Sequence, residues 1–176
     1  MKKTVLFFLL LLVSTSHAKC DVIYFPYPFT GICYSIEAIF SYESIKKPHS
    51  TTTYWGGFGR VGSIFEEYNE RVYGLEAAIE RRYYFQPNKF KHFFISAYLG
   101  TAFMTEFDNF SSIGLVPGLK VNYKANLFSN FILEPYISLS LPITHELTRY
   151  PDTIAFPALT FGARIGFNKL KDKSKK

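Results

Sequence analysis

The sequence predicts an all-β fold, an antiparallel up-and-down transmembrane β-barrel of about eight strands. Apolar and polar residues alternate by twos along most of the chain, as they do in a strand whose two faces meet different environments. The chain is 48% hydrophobic and 19% aromatic. After residue 18, however, it has no apolar run of the ~18 residues that a membrane helix needs. Its apolar faces must therefore be covered by a core or by lipid.

Residues 1–18 have the three parts of a secretory signal peptide. Met1, Lys2 and Lys3 form the positive end, residues 5–13 form the apolar segment, and Ser16-His17-Ala18 is a small-x-small cleavage site. The apolar segment is too short to span a bilayer. We therefore expect export, with the barrel domain at residues 19–168 and a basic tail at 169–176.

The formal net charge of +6 does not indicate a nucleic-acid partner. Two of the lysines lie in the predicted signal peptide and five lie in the tail, so the folded part is close to neutral. A nucleic-acid-binding domain would need a basic folded surface. We expect no nucleic-acid partner and no cofactor.

The strands follow one another at regular intervals. The first, at about residues 21–29, has the weakest signal because Pro26 and Pro28 interrupt it. The strand at 53–65 contains four glycines, which leave its register ambiguous. The other strands are predicted at residues 30–43, 71–85, 92–103, 113–124, 131–143 and 153–168.

The connections fall on two sides of the predicted barrel. Those at residues 44–52, 86–89 and 124–130 lie on the same side as the C-terminus. Those at residues 66–70, 105–111 and 144–152 lie on the other side, which would be extracellular. An even strand number with both ends on one side requires the first strand to exist.

The composition of the less apolar face favours a barrel surrounded by lipid over a barrel surrounded by water. A soluble eight-stranded barrel would show the same period, with apolar residues inward. Its water-facing side would carry many Lys, Glu, Thr and Asp, whereas here the less apolar face is mostly Gly, Ser, Ala and Tyr. Small residues suit a crowded interior, while Leu, Ile and Phe on the other face suit hydrocarbon.

Two features oppose this prediction. Pro117, Pro135 and Pro157 each remove a ladder hydrogen bond inside a predicted strand, so bulges are expected there. Arg81 falls on the apolar face, where it is tolerable only near the membrane interface.

Charged residues of the less apolar face are expected to meet inside the barrel. An eight-stranded barrel is just wide enough for side chains to fill it, and buried charges must be paired. An ion-paired plug is therefore favoured over a narrow channel, which stays an alternative. The predicted interior network consists of Glu37, Glu76, Glu80, Arg82, Lys120, Lys124, Glu134 and Arg164.

The remaining reactive side chains form no recognisable active site. Cys20 and Cys33 would form a disulfide in an oxidising compartment, but two unpaired thiols are equally compatible with the sequence. His92 and Ser96 share a face, but four strand residues separate them by about 13 Å. No cluster has metal-ligand spacing. A lipid A-modifying enzyme is therefore only an alternative.

Two sets of motifs resemble known membrane barrels. Residues 160–167 resemble the insertion signal on the last strand of bacterial outer-membrane barrels, with Thr160, Gly162, Ile165 and Phe167 at its defining positions. Gly31-Ile32-Cys33-Tyr34-Ser35-Ile36-Glu37, Arg82-Tyr83-Tyr84-Phe85 and Leu133-Glu134-Pro135-Tyr136 resemble a family of small Gram-negative barrels of unknown function, near the OmpX and OmpW type. The resemblance implies an outer-membrane location and recognition by the barrel assembly machinery. It implies no catalytic residue.

The sequence thus predicts a monomeric outer-membrane barrel that contacts outer-membrane lipid. Its role would be structural, or would be an interaction with an extracellular partner through loops 66–70, 105–111 and 144–152. Three alternatives remain besides this prediction. They are a narrow channel for small solutes, a lipid A-modifying enzyme, and a secreted lipocalin-like binder of a hydrophobic ligand.

Overall fold

The chain forms ten strands in the computed structural model, which describes residues 16–25, 31–63, 72–87, 89–106, 110–128, 131–148 and 152–167. No helix long and apolar enough to cross a membrane occurs in these ranges. The strands are β1 Ser16–Phe25, β2 Gly31–Lys47, β3 Ser50–Ser63, β4 Val72–Tyr84, β5 His92–Glu106, β6 Phe110–Asn126, β7 Phe131–Ser140, β8 Ile143–Glu146, β9 Thr153–Ala155 and β10 Ala158–Phe167.

The strands close into an antiparallel barrel. Each strand from β1 to β6 pairs with the next strand in sequence, so that the last of these pairs is β6 with β7. Strand β10 then pairs with β7 on one side and with β1 on the other, which completes the ring. The two short strands extend their neighbours: β8 continues β7 and β9 continues β10. The barrel therefore has eight strands around its circumference, as the alternation predicts.

Prolines lie within strands and between consecutive strands without shifting the register of their pairing. Gly118 pairs with Ser140, and three residues further along both strands Leu115 pairs with Ile143. The pairing of β6 therefore passes unchanged from β7 to β8. The predicted bulges at Pro117, Pro135 and Pro157 are wrong, since the register shift found in the described strands lies between Ile45 and Lys47.

The hydrogen bonds show how the ladder tolerates its prolines. The Leu141 amide donates to the Pro117 carbonyl at 3.0 Å, and the Phe156 amide donates to the Pro142 carbonyl at 3.1 Å. In each antiparallel pair the return bond would need the proline N–H, which does not exist. One bond per pair is lost, and the chain keeps its register instead of bulging.

The first strand exists, but it begins earlier than predicted. It spans Ser16–Phe25 and pairs with β2 from Ser16 to Phe25 and with β10 from His17 to Tyr24. Cleavage after Ala18, which remains a prediction, would leave Lys19 at the start of this strand. The two prolines that weakened the sequence signal, Pro26 and Pro28, lie beyond the end of this strand, and Lys19 and Asp21 on it are buried.

The barrel is apolar outside and polar inside. Among the described residues, 28 large hydrophobic side chains are exposed, whereas eight hydrophobic residues and 20 polar or charged residues are buried. On β4, for example, Leu75 and Ile79 are exposed while Glu80 and Arg82 are buried. On β2, β4, β5, β6, β7 and β10, for which the sequence assigned faces, the assignment matches this burial pattern.

The two ends of the barrel differ in their connections. We call the end at which β2, β4 and β6 finish the turn rim, and the end at which β1, β3, β5 and β8 finish the loop rim. Of the predicted outer loops, 66–70 lies outside the described residues. The other two are shorter than predicted, because Thr105 pairs with Ser111 and because residues 144–146 belong to β8. The paired strand ends Phe25 and Gly31 also lie at this rim.

Aromatic side chains contact one another at the turn rim. Phe93 contacts Tyr123 with ring centroids 4.8 Å apart, and Phe131 contacts Phe167 at 5.5 Å. Tyr83, near the same rim, stacks on His49 at 5.7 Å. These rings form a partial belt around the strand ends.

Arg81 is exposed on the otherwise apolar face. Its guanidinium donates hydrogen bonds to the Thr52 and Ser50 hydroxyls, each at 2.8 Å. Ser50 lies closer to the turn rim than Thr52, so the side chain extends toward that rim.

Candidate functional site

The structure brings the eight side chains of the predicted network into the interior. They come from β2, β4, β6, β7 and β10, because alternate residues of every strand point inward. Three more charged residues, Lys19, Asp21 and Glu43, join them. The interior charges of the described strands form three clusters along the barrel axis.

The central cluster consists of Glu80, Arg82, Glu134 and Arg164. The Arg82 guanidinium donates two parallel hydrogen bonds to Glu134, both at 3.1 Å, and a third to Glu80 at 3.1 Å. Arg164 donates to Glu80 at 3.3 Å and to Glu134 at 3.4 Å. These contacts join β4 to β7 and β10 across the lumen. Bidentate charge-assisted pairs of this kind are strong and fix the geometry of both partners.

The turn-rim cluster is centred on Glu43. Lys124 donates to one carboxylate oxygen at 2.8 Å. The Thr51 and Tyr84 hydroxyls donate to the other oxygen at 2.6 and 2.8 Å. Three donors from β3, β4 and β6 therefore hold one carboxylate from β2, and they fill the lumen below the central cluster.

The Lys19 cluster lies toward the loop rim. The Lys19 ammonium is 3.0 Å from Asp21, 3.1 Å from Glu37 and 3.1 Å from Glu76. Asp21 also accepts a short hydrogen bond from the Tyr136 hydroxyl. Three carboxylates are thus arranged around one ammonium group, and Glu76 is the most exposed of them, with 29% of its side chain accessible.

Lys120 lies between the central and the Lys19 clusters. Its ammonium nitrogen is 4.2 Å from the ring centroid of Tyr98, 4.9 Å from that of Tyr136 and 5.4 Å from that of Trp55. Its ion pair is long, at 3.9 Å to Glu80. Attraction to aromatic faces therefore takes the place of a close carboxylate at this position.

A cavity of about 280 Å³ occupies the loop-rim half of the barrel. Its floor includes Lys19, Glu76 and Lys120, together with the rings of Trp55, Tyr98 and Tyr136. Its walls are mainly apolar. They include Ile23, Val61, Met104, Val116 and Phe156. The cavity therefore combines charged groups at its base with a hydrophobic lining above them.

Sequence reasoning missed part of this site. Glu43 shares the face of Glu37 by simple alternation, so the pattern could have added it to the network. Lys19 was missed because the predicted first strand begins after it, and Asp21 was missed because no face was assigned to that strand. The inward aromatic rings could not be distinguished from other aromatic residues, because strands favour them on either face.

Cys20 and Cys33 do not form the disulfide that the sequence left open. Cys20 is exposed on the outer surface, whereas Cys33 lines the cavity. They lie on neighbouring strands but point to opposite faces of the barrel wall. Side chains on opposite faces of a sheet cannot meet the geometry of a disulfide.

The histidines contact structural partners. His49 Nδ1 lies 3.1 Å from the Tyr84 carbonyl, and His92 Nδ1 lies 3.4 Å from the Tyr123 hydroxyl. His145 Nδ1 lies 3.0 Å from the Thr153 hydroxyl. Ser96 is hydrogen-bonded by Asn122 at 3.2 Å, not by His92. In the described ranges, no group of His, Cys, Asp or Glu is arranged to hold a metal ion.

The residues of the terminal motif divide between the two faces. Thr160 is buried and faces the interior, while Ile165 and Phe167 are exposed on the outside. Gly162 lies where a side chain would collide with Asp21 and Tyr136. A packing requirement thus accounts for glycine at this position.

Comparisons with known proteins do not assign a family. No family model matches the chain, and no curated protein matches it. Among solved structures, the S-type phycobiliprotein lyase CPES from Guillardia theta aligns with 96% of this chain and 94% of its own, at 11% identity and a TM-score of 0.25. A similarity this low carries no inference about function.

Proposed function

We propose that the protein is a monomeric outer-membrane β-barrel with an ion-paired interior, acting as a structural or surface-interaction protein through its loop rim. The observation that carries the proposal is the reversed polarity of the barrel. Leu119 is 64% exposed and Ile36 is 60% exposed, while Glu80 is fully buried. Soluble monomers rarely expose large contiguous apolar surfaces. Hydrocarbon around the barrel would cover this surface.

The strand lengths and the rims support a membrane location. Strands β2 to β6 have 13 to 17 residues, more than the roughly 9 to 11 that a tilted strand needs to cross a bilayer. The aromatic belt at the turn rim suits the level of the lipid headgroups. Arg81 extends toward the same rim, where its charge would reach the headgroups.

The ion pairs favour a plugged barrel over a channel. The contact between Arg82 and Glu134 spans the lumen from β4 to β7, and that between Lys124 and Glu43 spans it from β6 to β2. In the central cluster, side chains are at most 7% exposed. Solute passage would require these bonds to break.

The proposed surface role belongs to the loop rim. Four pairs of strand ends lie at this rim, on a scaffold whose strands are paired on both sides, and binding sites commonly use loops held in this way. The barrel would therefore present the loop rim to the outside and keep both chain ends in the periplasm.

Heat-dependent gel mobility tests the membrane barrel. Residues 19–176 are refolded into detergent micelles and compared on a gel before and after boiling. We expect a mobility shift together with strand-type circular dichroism, because a closed barrel resists detergent until it is heated. A mature protein that is soluble and monomeric without detergent would contradict the proposal.

Cysteine labelling tests which rim faces outward. In a background with Cys20→Ser and Cys33→Ser, Thr148→Cys at the loop rim should react with a membrane-impermeant maleimide on intact cells. Lys89→Cys at the turn rim is the matched control and should react only after the cells are permeabilised. Equal labelling of both positions on intact cells would exclude the proposed orientation.

A further inference from the structure

The loop-rim cavity has the features of a ligand site. Cavities of about 150 Å³ can hold a benzene molecule, so the 280 Å³ available here accommodates a phenyl ring with a short chain. We propose that this cavity binds a small amphipathic anion, with its acidic group on the Lys120 ammonium and its apolar body along the loop-rim walls. This function goes beyond a structural or surface role.

Lys120 is the floor group with the least complete pairing. Of the three interior lysines in the described strands, Lys124 lies 2.8 Å from its carboxylate and Lys19 lies 3.0 Å from its nearest one. Lys120 is 3.9 Å from Glu80, beyond hydrogen-bond distance, and only 5% of it is exposed. A buried ammonium group without a close anion favours a ligand that brings one.

On the side of the central cluster, the charges around Lys120 leave a positive excess. Three cations, Lys120, Arg82 and Arg164, share the two carboxylates of Glu80 and Glu134. Glu43 is occupied by Lys124, and it lies 3.9 Å from Arg82. The Nε and Nη2 groups of Arg164 are also buried without a hydrogen-bond partner among the described atoms. An acidic ligand on Lys120 would therefore balance the central cluster, on the side of Lys120 away from the three carboxylates that surround Lys19.

The same geometry disfavours a cationic ligand. The ring faces of Trp55, Tyr98 and Tyr136 could attract a cation, but the Lys120 ammonium already occupies the space over all three. The carboxylates that line the cavity, Asp21 and Glu76, are both bound by Lys19 at hydrogen-bond distance.

The cavity walls define the rest of the ligand. Val61, Met104, Val116 and Phe156 offer apolar surface above the charged floor. A ligand with one acidic group and a compact hydrophobic body satisfies both regions. Small-molecule sites commonly combine such walls with a few polar groups that orient the ligand.

Trp55 provides a direct probe of binding. It is the only tryptophan in the chain and it lines the cavity. The refolded barrel is titrated with 4-phenylbutyrate while Trp55 fluorescence is excited at its red edge, where a phenyl ring does not absorb. We expect a saturable change. 4-Phenylbutan-1-ol and 4-phenylbutylamine should bind more weakly than the acid by a factor of at least about ten, because they lack the charge-assisted bond to Lys120.

Two variants separate the charge of the site from its volume. Lys120→Met should weaken 4-phenylbutyrate binding at least tenfold, the scale of one charge-assisted bond. Lys47→Met, which removes an exposed lysine outside the cavity, is the control and should leave binding unchanged. Ala102→Phe should also abolish binding, because its ring fills the cavity while Lys120 is retained. Heat-dependent mobility verifies that each variant is folded.

The comparison of ligands on the unmodified protein decides the proposal even if Lys120→Met fails to fold. Equal binding of the acid, alcohol and amine would overturn it, as would a fluorescence change that never saturates. Binding that survives in folded Lys120→Met or in folded Ala102→Phe would also overturn it.

Discussion

At the scale of single residues, the interior is held by a few charged groups that depend on one another. Glu134 receives two bonds from Arg82 and one from Arg164, so two guanidinium groups rely on one carboxylate. Gly162 leaves the space in which Asp21 and Tyr136 meet. A small change at either residue should affect partners on several strands.

Glu134→Gln should destabilise the barrel by about 3–5 kcal/mol, the usual cost of breaking a buried ion pair from one side. The neutral amide leaves Arg82 and Arg164 with only Glu80 as a close carboxylate in the central cluster. Urea unfolding of the refolded protein measures the change. Glu146→Gln, near the loop rim, is the control, with an expected change within about 0.5 kcal/mol. Equal stability of the two variants would show that the central cluster is not a major source of stability.

Gly162→Ala should cost about 1–3 kcal/mol through overpacking. The added methyl would lie 2.7 Å from the Tyr136 hydroxyl oxygen and would displace Asp21. Gly74→Ala is a matched control, because its methyl would lie 3.8 Å from the nearest atom, on Val61. Refolding without assembly machinery isolates this packing effect from any role in insertion. A loss of equal size in both variants would point to a general requirement for glycine in the strands.

At the scale of elements, prolines shape the wall between β6 and β10. Pro117 and Pro142 each occupy one side of a hydrogen-bonded pair in which only the return bond is missing. The alternation of apolar and polar residues predicted these strands because inward and outward side chains keep their period of two across the missing hydrogen bond. The alternation could not show which hydrogen bond is missing, because the loss of a backbone N–H does not change the hydrophobic pattern.

Pro142→Ala should restore one ladder hydrogen bond. The new amide would face the carbonyl of Phe156, whose own amide already donates to residue 142 at 3.1 Å. We expect this amide to exchange slowly with solvent deuterium. Pro48→Ala, in the turn between β2 and β3, is the control and should give a rapidly exchanging amide. Rapid exchange at residue 142 would mean that the hydrogen bond to the Phe156 carbonyl is absent for a reason other than the proline.

At the scale of the whole molecule, the barrel has the opposite polarity to a soluble protein, with apolar side chains outside and polar side chains inside. Its exposed belt of Leu, Ile and Phe surrounds an interior of Ser, Thr and ion pairs. The two candidate environments, lipid and water, make opposite demands on this belt. A charge placed in the middle of the belt should therefore distinguish them.

Leu119→Arg should destabilise the barrel in lipid vesicles by about 2–4 kcal/mol, since a charge near the bilayer centre is costly. Leu119 lies on β6 between Ala97 and Leu139 of the neighbouring strands. Phe128→Arg at the turn rim is the control, with an expected cost of about 0–1 kcal/mol near the interface. A cost within about 0.5 kcal/mol for Leu119→Arg would instead indicate an exterior in contact with water.

The sequence by itself determined the all-β class, the number of strands around the barrel and the faces of the side chains on the strands other than β1 and β3. These properties follow from a period of two, which is local and can be counted along the chain. It also brought eight of the interior charges together as a set, because they share the less apolar face.

Only the tertiary structure decided which of these charges meet. Arg82 reaches Glu134 and Lys124 reaches Glu43 across the lumen, and such distances depend on strand stagger and closure, which no local pattern encodes. Closure also placed Lys19 and Asp21 inside, separated Cys20 from Cys33, and left the cavity above Lys120. Faces are a property of each strand, whereas partners and cavities are properties of the closed barrel.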